Sequence, residues 1–85
     1  MTLAMMKIKV LYFARLQEVR GISEEIVSVA AGATPQTLYR ELERQYAFGL
    51  PESSLRAARN HVFCDWQEPL TDGDVVAFIP PVAGG

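Results

Sequence analysis

The sequence predicts an α+β fold, a mixed sheet with one main helix packed across one face. Three observations carry that prediction. A period-2 apolar run lies near the start, a capped amphipathic stretch occupies the middle, and a second half of short β runs is punctuated by turn signals.

The first run is KIKVLYF, residues 7–13. Ile8, Val10 and Tyr12 alternate with Lys7, Lys9 and Leu11, which is the pattern of a half-buried strand. Residues 14–20 form a short helical turn that Gly21 stops. Residues 24–29, rich in Ile and Val, make a second strand that pairs antiparallel with the first. The main helix starts at Thr34, a good N-cap, followed by Pro35 at the first helical position, where a missing N–H costs nothing. Leu38, Leu42, Gln45 and Tyr46 recur at helical spacing beside Tyr39, while Arg40, Glu41, Glu43 and Arg44 fill the wet side. Gly49 and Pro51 are expected to end it.

Beyond the helix, residues 55–59 and 61–64 read as short strands turning at Asn60, a residue that tolerates the left-handed conformation. The turn TDGD, residues 71–74, precedes a last strand over 75–79. The order ββαββ with one long helix fits a β-grasp architecture and leaves other α+β topologies open.

Eighty-five residues make a single domain, 1–85, with 80–85 as a tail. Hydrophobic residues at 49% and charged residues at 21% describe a folded chain rather than a disordered one. A net charge of −2 offers no electrostatic reason to expect nucleic acid or an anionic membrane as partner. The apolar start is broken by Lys7, Lys9 and Arg15, so neither a signal peptide nor a membrane span is expected. One cysteine, Cys64, allows no internal disulfide, and a reduced cytoplasmic setting fits best.

Little else in the body of the chain suggests chemistry. His61, the only histidine, reads as a solvated turn residue, since no triad or metal-ligand spacing surrounds it. Cys64 reads as a half-buried packing residue rather than a nucleophile. Asp65, Glu68, Asp72 and Asp74 cluster, but TDGD is turn chemistry. Trp66 either shields the core edge or contacts a partner, the first being the commoner role. No metal and no cofactor are expected on the domain, and a chain this small has no room for a complete active site.

The distinctive group is the chain's own end, FIPPVAGG. Pro80 and Pro81 cannot continue a strand ladder and favour extended geometry, so they push the tail off the fold. From Pro80 to Gly85 such a tail reaches roughly 18–20 Å. Gly84 and Gly85 lack Cβ atoms, so the thread fits a channel too narrow for side chains. A terminal carboxylate inserted into another enzyme can be activated as an acyl-adenylate with ATP. It can then accept sulfur as a nucleophilic thiocarboxylate, or an amine as a conjugate.

PLTDGDVVAFIPPVAGG, residues 69–85, resembles the C-terminus of the molybdopterin synthase small-subunit family, ubiquitin-like sulfur carriers. KVLYFARLQEVRG, residues 9–21, resembles that family's first strand and following helix, and residues 57–60 its AxxN-type hairpin. The resemblance implies a ubiquitin-like β-grasp fold. It implies adenylation of Gly85 by a ubiquitin-activating-type enzyme that uses ATP, then conversion to a thiocarboxylate. It implies docking on the large synthase subunit in a heterotetramer, where sulfur passes to cyclic pyranopterin monophosphate to build the dithiolene that holds molybdenum. The catalytic base and substrate pocket then belong to the large subunit.

The same resemblance places Phe13, Phe63 and Ile79 in an apolar partner-binding surface, continued by Pro80, Pro81 and Val82. The strand pattern agrees in pointing Leu11, Phe13, Ala77 and Ile79 away from the helix, with Val76 and Phe78 in the core. Arg59 departs from the family, which usually has an apolar residue there, and that departure bears on the pairing of its strand. Competing readings are a carrier for thiamine or tRNA thiolation, a lysine-conjugated modifier, and a plain β-grasp binding module.

Overall fold

The computed structural model describes residues 4–80. Strand β1, Met5–Leu11, lies near the middle of a five-stranded sheet and places Met6, Ile8 and Val10 on its buried face. Chain direction reverses through helix α1, Ala14–Arg20, into β2, Glu24–Ala30, which pairs antiparallel with β1 from Met5↔Ala30 to Leu11↔Glu24. Gly21 ends α1 at φ 74°, a conformation that costs glycine nothing, and its N–H caps Gln17.

Helix α2, Pro35–Tyr46, begins as the sequence predicts. Thr34 Oγ1 accepts from the Thr37 N–H at 3.2 Å, and Thr37 Oγ1 accepts from the Thr34 N–H at 2.9 Å. Two orphan donors are thus satisfied reciprocally. The far end differs from expectation. The helix stops at Tyr46 and Ala47 takes the left-handed cap at φ 52°, ahead of Gly49 and Pro51. The cause is Phe48, which is fully buried and must turn back beneath the helix. The Glu43 carboxylate receives the Phe48 and Gly49 N–H groups, and Arg15 Nε donates to the Phe48 carbonyl at 2.8 Å.

A single 3₁₀ turn at Glu52–Ser54 leads to β3, Arg56–Arg59, and β4, Val62–Phe63, then to β5, Val75–Ile79. The helices and strands follow in the order βαβαβββ; with the short α1 set aside, three strands rather than two follow the main helix. The sheet runs β2-β1-β5-β3-β4, parallel between β1 and β5 and antiparallel elsewhere. The first and last strands therefore meet side by side at the centre, and α2 crosses one face. Leu38, Tyr39 and Leu42 pack there with Ile8, Val10, Val76 and Phe78 in one core. Tyr39 is its hub, 5.0 Å from Phe78 and 6.0 Å from Trp66 between ring centroids, and its hydroxyl donates to the Leu50 carbonyl. Trp66 stacks on Phe78 as a partly buried lid, so it shields the core edge.

Candidate functional site: the outer sheet face and the root of the tail

Because side chains alternate along a strand, the residues that β1, β5, β3 and β4 turn away from α2 share the opposite face. The register lines them up. Leu11 pairs with Ala77, Ala77 with Ala58, and Ala58 with Phe63, one row across four strands. Two alanines in the middle and larger side chains at each end make an open apolar depression of about 220 Å³. Phe13 and His61 complete its rim, with Val75 and Ile79 along its length. Phe13 is 43% exposed and Phe63 51%. Ala77 faces outward as the pattern predicts, yet it is only 6% exposed because it lies on the floor.

A second recess adjoins the first, sharing Phe63 and Ile79 and continuing through Leu55 and Arg56 to Pro80. The outer face thus leads to the point where the chain leaves β5. Of the residues assigned by sequence to the site, Phe13, Phe63, Ile79 and Pro80 converge on this continuous surface. Pro81, Val82, Gly84 and Gly85 lie outside the described residues.

Backbone geometry at the two ends of the depression is unusual. Ala14, directly after Phe13, sits at φ 50°, and Asn60 and His61, just before β4, sit at φ 52° and 70°. Consecutive left-handed residues suit a tight hairpin whose twist matches its strands. Asn60 stabilises that turn through its side chain, accepting from the Val75 N–H at 2.9 Å and donating to Asp74 at 3.0 Å.

Asp74 is the anchor of this corner. It is 7% exposed, and its Oδ2 accepts from the Thr71 N–H at 2.8 Å and lies 3.0 Å from Arg59 Nε in an ion pair. Burial alone would raise the Asp74 carboxyl, but the Thr71 N–H, the Asn60 amide and Arg59 outweigh it and hold it below its usual value. Arg59 also meets Glu68 at 2.8 Å. The family departure at Arg59 therefore leaves strand pairing intact, with Arg59 opposite Val76 and Val62, because two carboxylates are positioned to receive the guanidinium.

Cys64 is half-buried behind β4, and burial, then Glu68, pushes its thiol up, away from the reactive thiolate. His61 is exposed on its turn, but it also borders the depression, which its spacing in the sequence did not signal. Sequence reasoning likewise missed Arg56, whose guanidinium lies 3.8 Å from the Phe63 ring centroid, and the floor residue Ala58. Among the described residues no group of three or more His, Cys, Asp or Glu could hold a metal ion, and no helix is long and apolar enough to cross a membrane.

The ThiS family model matches residues 10–85. A molybdopterin synthase sulfur carrier subunit from Escherichia coli is 42% identical over 82 residues, 92% of this chain and 99% of that one. Among solved structures, a candidate molybdopterin converting factor subunit 1 from Pyrococcus furiosus superposes with a TM-score of 0.78 at 34% identity, covering 91% of this chain and 99% of that one. Subunit 1 and 2 of the Helicobacter pylori molybdopterin-converting factor were solved as a complex, which matches with a TM-score of 0.58 at 29% identity over 94% of this chain and 100% of that one. A ubiquitin from Caldiarchaeum subterraneum, 23% identical with a TM-score of 0.65 over 96% of this chain and all of that one, shares the β-grasp fold. Together these matches show that the chain belongs to the ThiS family, among the molybdopterin synthase sulfur carrier subunits.

Proposed function

We propose that this chain carries sulfur on its C-terminus as the small subunit of molybdopterin synthase. The observation that carries the reading is the apolar depression that continues along β5 to Pro80. A partner seated on it would hold the root of the tail, leaving residues 81–85 to enter that partner's active site. The Helicobacter pylori complex of subunits 1 and 2 supports a large-subunit partner.

The chemistry runs in two stages. In the first, an adenylating enzyme of the ubiquitin-activating type binds the same face. The Gly85 carboxylate attacks the α-phosphate of ATP and releases pyrophosphate, forming an acyl-adenylate. A sulfur nucleophile at the sulfide level then adds to the acyl carbon and expels AMP, leaving a thiocarboxylate. In the second stage the carrier docks on the large subunit, two of each forming the complex. The anionic sulfur attacks cyclic pyranopterin monophosphate, and water cleaves the acyl–sulfur bond to return the carboxylate. A dithiolene holds two sulfur atoms, so each product molecule consumes two thiocarboxylates. Gly84 and Gly85 supply the reactive thread, while Phe13, Phe63, Ile79, Pro80, Pro81 and Val82 position it. The cycle belongs in the cytoplasm, where ATP and reduced sulfur coexist.

Removal of Gly85 tests the assignment. The truncated chain is expected to fold and to bind the large subunit with near-normal affinity, yet to form no molybdopterin in a reconstituted reaction. Retained synthesis would refute the reading.

A further inference from the structure

The ionic surroundings of the depression point to one residue that the chain's family assignment does not supply. Arg20, Arg40, Arg44 and Arg59 each pair with a carboxylate, and Arg15 donates to a backbone carbonyl. Arg56 differs. Among the described residues its guanidinium has no carboxylate and no hydrogen-bond acceptor, although Asp65 and Glu68 line the recess beside it. Its guanidinium carbon lies instead over the Phe63 ring, 3.8 Å from the centroid, and its backbone pairs with Ile79 immediately before the tail. Stacking satisfies one face of a guanidinium and leaves its in-plane N–H donors free, with the fork geometry that matches a carboxylate.

No carboxylate among the described residues comes within 4.0 Å of it, since Glu68 is taken by Arg59. Lys9, also on the outer face, is matched by Glu24 at 3.0 Å, and the floor of the depression is Ala58 and Ala77. The chain as a whole is acidic, at net charge −2, yet this rim carries a cation with no ion-pair partner among the described residues, next to the end of β5. A guanidinium held over an aromatic ring, with no acceptor among the described residues, suits a carboxylate brought by a partner.

We infer that Arg56 is a specificity-determining residue of the docking face, receiving a carboxylate of the large subunit as Phe63 and Ile79 bury against it. This rests on the docking reading above. The contact would set register along β5 and so fix how far residues 81–85 reach, in addition to contributing affinity.

The test uses the full chain and the purified large subunit, with affinity measured by calorimetry at low and high salt. Arg56→Glu places like charges together and is expected to weaken binding by roughly tenfold or more. Arg56→Leu keeps apolar packing on Phe63 and is expected to weaken it less while flattening the salt dependence. Arg56→Lys retains charge without the planar fork and should recover part of the loss. Arg56 is exposed, so all three variants are expected to melt within a few degrees of the parent. Parent-like affinity and salt dependence in Arg56→Glu would overturn the inference while leaving the docking reading intact. Failure of the parent itself to bind the large subunit would overturn both.

Discussion

Phe63→Ala is the sharpest perturbation of the proposed docking face. Phe63 is 51% exposed, so about half of its side chain is already packed on the fold and half is free to be buried by a partner. A phenylalanine buries roughly 150–250 Å², which leaves on the order of 100 Å² for docking. At about 25 cal/mol per Å² that area contributes about 2–3 kcal/mol, or roughly 30- to 150-fold in Kd. The same truncation removes the ring under Arg56, and with it about 0.5–1 kcal/mol of cation–π attraction, plus up to about 2 kcal/mol of existing burial. Melting is therefore expected to fall by several degrees, since about 1 kcal/mol moves a domain of this size by about 4–8 °C. Affinity for the large subunit should be measured at 25 °C, well below the variant's melting point. Ile26→Ala is the control. Ile26 is 64% exposed, but it lies on β2 and lines no part of the depression, so its loss should leave Kd unchanged. A folded Phe63→Ala that binds within about threefold of the parent, or an Ile26→Ala that weakens binding as much, would refute the assignment of this surface.

Two further outcomes follow from the surroundings of Asp74 and Cys64. Asp74 has a folded pKa below its unfolded value near 3.9, so its contribution is complete above that value and is lost as pH falls through the folded one. Asp74→Asn should cost about 1–3 kcal/mol at neutral pH, because an amide turns a second set of donors toward Arg59 and Asn60. Its stability should also fall less steeply below pH 4 than the parent's, which urea melts across pH 2–7 would show; Glu25, held low by Tyr12 and Arg20 against its burial, keeps some slope in both. Cys64→Ser should retain full molybdopterin formation in the reconstituted system, since the proposed carrier group is the Gly85 carboxyl and this thiol is held toward its neutral form; a large loss would make Cys64 part of the transfer.

Much of the fold was legible because local chemistry and global packing agree. Ile8 and Val10 alternate correctly, Thr34 and Pro35 mark the start of α2, and Asn60 turns the β3–β4 hairpin. The end of α2 was not legible. Gly49 and Pro51 are strong local signals, but burial of Phe48 outweighs them and forces Ala47 into the left-handed region. Arg59 read as a misfit for the same reason of range. Its two carboxylates come from Glu68 and Asp74, and nothing local announces that they meet it.

At the site, Phe13, Phe63, Ile79 and Pro80 could be singled out beforehand, the first three by family resemblance, with strand parity agreeing for Phe13 and Ile79. Their convergence could not, because it depends on the register that puts Leu11, Ala77, Ala58 and Phe63 in one row. A small residue marks a depression only when its cross-strand neighbours are known. Arg56 was missed for a related reason: an exposed arginine on a strand is unremarkable until its stacking partner and its lack of a carboxylate among the described residues are both visible.

The central claim concerns one atom at Gly85. Intact mass of the full chain, recorded after incubation with ATP, its adenylating enzyme and a sulfur donor, addresses that atom directly. The account predicts a single exchange of oxygen for sulfur, confined to the C-terminal fragment and absent when ATP is omitted. An unchanged mass, or an adduct linking the terminus to a lysine, would contradict it.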